Sequence, residues 1–112
     1  MTTTTTTTTT DRQIKPQYAQ RVAIADDGSW VLGQLFYVHE DGGTWIVRYA
    51  PLGKEDKYGG EVVLAHGIDM SKLREGDLAF VRGEIVHEGR ASKYVGGPLY
   101  RAFSVELNER VD

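Results

Sequence analysis

The chain has 112 residues, 40% of them hydrophobic and 26% charged, with a formal net charge of −3. This is the composition of one small globular domain, and the acidic balance argues against broad electrostatic binding to duplex DNA. With no cysteine in the chain, disulfides, thiolate metal sites and a thiol nucleophile are all excluded.

Residues 1 to about 16 read as an arm. Thr2 to Thr10 form a homopolymer with nothing apolar to bury, so a disordered segment is expected there, followed by a barrel domain over 17–112. The start has neither the basic nor the apolar stretch of a signal peptide. No apolar run nears the roughly 20 residues of a membrane span. A cytoplasmic protein without membrane contact is expected.

Tyr18 to Ala25 is a weak strand or lead-in, followed by the turn residues Asp26-Asp27-Gly28. Trp30 to His39 is the first full strand, with Gly33 near its start. Glu40-Asp41-Gly42-Gly43 is a hairpin signal, and Thr44 to Ala50 is the paired strand. Pro51 to Gly60 is a polar loop, and Glu61 to His66 a short third strand. Asp69 is placed as an N-cap, so a short helix is expected over Asp69 to Glu75. Gly76-Asp77 turns into the fourth strand, Asp77 to Glu88, where Ala79, Val81, Gly83 and Ile85 share one face. Gly89 to Pro98 is a second loop. Leu99 to Leu107 is the fifth strand, in which Phe103, Val105 and Leu107 alternate with Ala102, Ser104 and Glu106. Asn108 to Asp112 read as a frayed end. The alternation makes Trp30, Leu35, Val81, Ile85, Phe103 and Val105 the expected core.

This order, with a helix between the third and fourth of five strands and glycines Gly33 and Gly83 where strands must bend, resembles the OB-fold (oligonucleotide/oligosaccharide-binding) family. The resemblance covers roughly Ser29 to Leu107. An SH3-like barrel is the competing architecture, but it does not ordinarily place a helix at Met70 to Glu75. The fold expected is all-β: a five-stranded OB-fold-like barrel with one short helix between strands 3 and 4. The resemblance implies contact with single-stranded nucleic acid.

The residues that would make such contact are aromatic and cationic. Placing Trp45 and Val47 inside leaves Arg48 outside, and placing Val81 inside leaves Phe80 and Arg82 outside. Tyr58, Tyr94 and Tyr100 lie in or beside the two long loops, where rings can stack on bases for about 1–3 kcal/mol each. Arg48, Arg82, Arg90, Lys93 and Arg101 would then lie near the phosphates. The loop from Glu88 to Pro98, with cations, a hydroxyl, a ring and glycines, is the best single ligand-contacting element. The plainer reading of Trp30, Trp45 and Phe103 is core packing, and that of the loops is solvated connection.

His39, His66 and His87 lack metal-ligand spacing, so neither a metal site nor a cofactor is expected. Asp26, Asp27, Glu40 and Asp41 are explained as turn formers. No serine sits in a nucleophile elbow and no phosphate loop occurs, so no catalytic residue is assigned and no enzyme is expected. The expectation is a non-catalytic binding module for single-stranded nucleic acid. The alternative is a protein-interaction or self-association module, in which an acidic barrel docks a protein partner.

Overall fold

Alternating apolar and polar residues become strands wherever one face can be buried. The computed structural model describes residues 13–39, 42–51, 53, 54, 56, 58–87 and 97–110. Among them run β1 (Ala23–Ile24), β2 (Trp30–Val38), β3 (Thr44–Arg48), β4 (Glu61–Leu64), β5 (Leu78–His87) and β6 (Leu99–Glu109). The strand order is β1-β2-β3-β4-β6-β5, and β2 pairs again with β5 to close the ring. Every pairing is antiparallel except that of β4 with β6. The protein is all-β, a closed five-stranded barrel of β2 to β6 that is compatible with an OB-like fold. β1 is a two-residue addition to the edge of β2.

Closure depends on β2 serving two neighbours in turn. Trp30 to Gln34 pair with β5, and Gln34 to Val38 pair with β3. Gly33 sits at the changeover. A Cβ there would lie 2.5 Å from the Arg48 carbonyl oxygen, so the close crossing of backbones requires glycine. Gly83 is as tightly confined, with a would-be Cβ 2.1 Å from the Arg101 carbonyl oxygen. Inside the barrel, Val31, Leu35, Val47, Val62, Ala79, Val81 and Tyr100 form the core.

The helix expected over Asp69 to Glu75 is replaced by turns. Asp69 does use its side chain, but locally: Oδ1 accepts from the Ser71 amide at 2.9 Å. The Leu73 amide donates to the Met70 carbonyl at 3.0 Å, and the Gly76 amide is drawn away to the Leu35 carbonyl at 2.8 Å. A local side-chain bond of the kind Asp69 makes competes with helix formation. A single 3-10 turn, Pro16–Tyr18, precedes the strands.

Phe103 is not in the core. β5 and β6 pair Arg82 with Ser104 but Gly83 with Ala102, so Phe103 is an extra residue in a bulge. One inserted residue reverses the side-chain alternation. Tyr100 and Ala102 pack towards the interior, as does Val105, while Phe103 is 64% exposed. Trp30 also lies outside, half-buried, whereas Leu35 and Val81 are fully buried as expected. Ile85 and Val105 are half-buried against the core.

Both ends of the described chain are tied down. Ile14 and Tyr18 pack with Leu78 on the outside of the barrel, and the Lys15 amide donates to Gln34 Oε1 at 2.8 Å. Packing therefore starts ahead of the boundary drawn at residue 17. Residues 1–12, with the poly-Thr tract, lie outside the described residues. Arg110, read as part of a frayed end, instead grips Asp77 with Nε at 2.9 Å and Nη2 at 2.8 Å.

Asp77 is buried and also accepts from the Arg74 amide at 2.8 Å. These bonds, those from Arg110 foremost, hold its carboxyl below the usual carboxylate range. A carboxylate depressed in the folded state contributes stability above its unfolded pKa of about 3.9 and loses it as pH falls through the folded value. Arg110→Ala should therefore move the acid-unfolding midpoint to higher pH, followed by circular dichroism. An unmoved midpoint would contradict this role for the pair.

Candidate functional site

The outer face of β2, β5 and β6 collects rings and cations. Because Ala79 and Val81 point into the core, Phe80 and Arg82 point out. Trp30 on β2 lies directly opposite Arg82. Its ring stacks on Phe80 with centroids 5.9 Å apart and planes 27° from parallel. The Arg82 guanidinium carbon stands 5.5 Å from the Phe80 centroid. On β6 the Arg101 guanidinium carbon stands 5.8 Å from the Phe103 centroid, and Arg101 also pairs with Glu84 on β5. Arg82 has no carboxylate partner among the described residues, so its charge is available to a ligand. Cations held over rings in this way form a composite surface that can accept a flat ring or an anion.

The structure brings two of the eight sequence-assigned contact residues, Arg82 and Arg101, onto this exposed surface. Arg48 lies on the outer side of β3, but it is buried. Its Nη1 donates to Glu61 Oε1 at 3.0 Å and its Nε to the Ala50 carbonyl at 2.9 Å. Tyr100 is also buried, not exposed beside a loop. Its hydroxyl donates to the Gly28 carbonyl at 2.6 Å, and burial, helped by the Asp27 charge, pushes its pKa up to about 12. Tyr58 is half-buried against the core, its amide donating to Asp56 Oδ1 at 3.0 Å. The same carboxylate receives the Tyr49 hydroxyl at 2.6 Å, and burial together with that contact raises the Tyr49 pKa. Arg90, Lys93 and Tyr94, with the loop that holds them, lie outside the described residues.

The outer side of β3 and β4 offers no comparable surface. Ile46 and Val63 are buried there with Phe36 and Val38 packed against them, and the Arg48–Glu61 pair is buried beside them. Phe103 and Trp30 are the residues that sequence reasoning assigned to the core and the structure assigns to the surface. Phe80 was placed outside by the alternation of β5, but nothing in the sequence joined it to Trp30.

Comparison with protein-family models, curated proteins and solved structures finds no match for this chain.

The chemistry of the surface is then the guide to its ligand. Among the described residues no group of three His, Asp or Glu side chains is placed to hold a metal ion. No helix among them is long and apolar enough to cross a membrane. A concave feature lies at the barrel mouth, a cleft of about 260 Å³ lined by residues including Tyr37, Gly43, Trp45, His66 and Met70.

Proposed function

We propose that this chain is an OB-fold domain that acts as a non-catalytic binding module for single-stranded nucleic acid, held on the outer face of β2, β5 and β6. The supporting observation is the row of rings and cations across three strands: Trp30, Phe80 and Arg82, then Arg101 and Phe103. Bases stack on exposed rings whatever their identity, so such a face suits a ligand without strict sequence. Arg82 would meet phosphates, while Glu84 offsets Arg101 and keeps the charge contribution modest. OB-folds commonly bind on the face of their second and third strands. Here the outer side of the corresponding strands, β3 and β4, carries buried residues, which favours the neighbouring face.

Fluorescence anisotropy of a labelled oligothymidylate tests the proposal. Phe103→Ala should weaken binding about 5- to 150-fold, equivalent to one lost stacking contact of about 1–3 kcal/mol. Because Phe103 is exposed, the same change should alter stability by no more than about 0.5 kcal/mol. Arg82→Ala should reduce the steepness with which affinity falls as salt rises, by about 0.7 in the log–log slope.

Protein docking on the same face is the second reading. It is favoured by Val86 and Phe103, apolar side chains left 47% and 64% exposed. Absence of oligonucleotide binding at low salt, with self-association that Phe103→Ala abolishes, would select it.

A further inference from the structure

The cleft at the barrel mouth has a chemistry of its own. Tyr37 from the end of β2 and Trp45 from the start of β3 meet there at 5.1 Å between centroids, with planes 64° apart. They form a corner in which a flat ring can stack on one wall and meet the edge of the other. Leu64, Ile68 and Met70 add apolar lining, the last of them able to adapt its shape.

The hairpin is built to leave the Tyr37 hydroxyl where it is. Gly43 has φ of 102°, and a Cβ there would fall 1.9 Å from that oxygen. Tyr37 and Trp45 are both half-buried, yet neither the hydroxyl nor the indole N–H has a hydrogen-bond acceptor among the described residues. Such groups usually find partners when they are taken from water. His66, also lining the cleft, is exposed and adds a ring nitrogen. Among the described residues no Lys, Arg, Asp or Glu lines the cleft. A purely aliphatic ligand would leave the donors unsatisfied. At about 260 Å³ the space is below the roughly 300–1,000 Å³ of drug-sized sites.

We propose that this cleft binds one planar heteroaromatic ring with acceptor atoms on its edge, of the nucleobase class, stacked on one wall of the Tyr37–Trp45 corner and meeting the edge of the other. The ring can arrive as a free nucleoside or as one base of a strand. The site is separate from the outer face of β2, β5 and β6, and either can fail without the other.

The two tryptophans of the chain report the two places separately. In Trp30→Phe the remaining indole is Trp45, at the cleft; in Trp45→Phe it is Trp30, on the outer face. Titrating Trp30→Phe with adenosine should change the Trp45 emission saturably, and Trp45→Phe should show no saturable change. Adding Tyr37→Phe to the first variant removes only the hydroxyl and should raise the dissociation constant about two- to twelvefold, the worth of one hydrogen bond. His66→Ala, at an exposed position, should also weaken binding without loss of fold. Displacement of adenosine by oligothymidylate would assign the site to a base of the strand. Simultaneous binding of both would assign it to free nucleoside. A linear, unsaturable response of Trp45 up to the solubility limit of adenosine, or binding unaffected by Tyr37→Phe and His66→Ala together, overturns the proposal. Oligonucleotide affinity at the outer face would be untouched by that result.

Discussion

Arg48→Ala should destabilise the barrel by about 3–5 kcal/mol, a large share of the roughly 5–15 kcal/mol that holds a domain of this size. Arg48 and Glu61 lie side by side on β3 and β4, with side chains only 4% and 3% exposed. Truncating the arginine deprives a buried carboxylate of its guanidinium and the Ala50 carbonyl of its donor. The cost comes from the group left behind, not from the strength of the pair. Replacing both residues by apolar ones of similar volume, Arg48→Met with Glu61→Leu, should therefore recover most of the loss. Urea unfolding of the two variants measures this. It also separates structure from binding: a stable Arg48→Ala protein with weakened oligonucleotide affinity would return Arg48 to the ligand surface.

Gly83→Ala should cost about 3 kcal/mol or more. The new methyl group would sit 2.1 Å from the Arg101 carbonyl oxygen, 2.8 Å from Tyr100 Cε1 and 2.9 Å from Ala102 Cα. Two of these atoms are backbone of the paired strand and can move only by opening the bulge. Overpacking in a firm core costs about 1–3 kcal/mol when side chains can yield, and here they cannot all do so. At roughly 4–8 °C per kcal/mol for a domain of this length, the melting temperature should fall by more than about 12 °C. Gly33→Ala should behave similarly, since its Cβ would meet the Arg48 carbonyl oxygen at 2.5 Å. A loss under 1 kcal/mol at both positions would show that the barrel closes less tightly than these distances require.

The strands were legible because one buried face forces alternation. The run from Leu78 to Val81 and the glycine at Gly83 carry that pattern openly, and β5 begins and ends within a residue of where the sequence places it. Gly33 was legible as the place where a strand serving both sides of the barrel must bend, and it does sit where β2 changes partners. The bulge at Phe103 was not, because nothing in Ala102-Phe103-Ser104 distinguishes an inserted residue from a paired one. That single residue decides whether the ring is core or surface. Arg48 was assigned its correct face, but its burial depends on the register that sets Glu61 beside it, a partner 13 positions away. Tyr100 follows a Gly-Gly-Pro loop signal and reads as a wet edge. Only the path of the turn at Gly28 supplies the carbonyl that buries its hydroxyl. Asp69 gave a correct local signal with the wrong outcome, since an Asx turn and a helix cap begin with the same residue.

Amide chemical-shift mapping by NMR during titration with an unlabelled oligothymidylate at low salt tests the binding surface most directly. The predicted result is a set of saturating shifts at Trp30, Phe80, Arg82, Arg101 and Phe103, with the buried neighbours of Arg48 unmoved. No shifts at any oligonucleotide concentration, or shifts confined to residues away from the outer face of β2, β5 and β6, would contradict it.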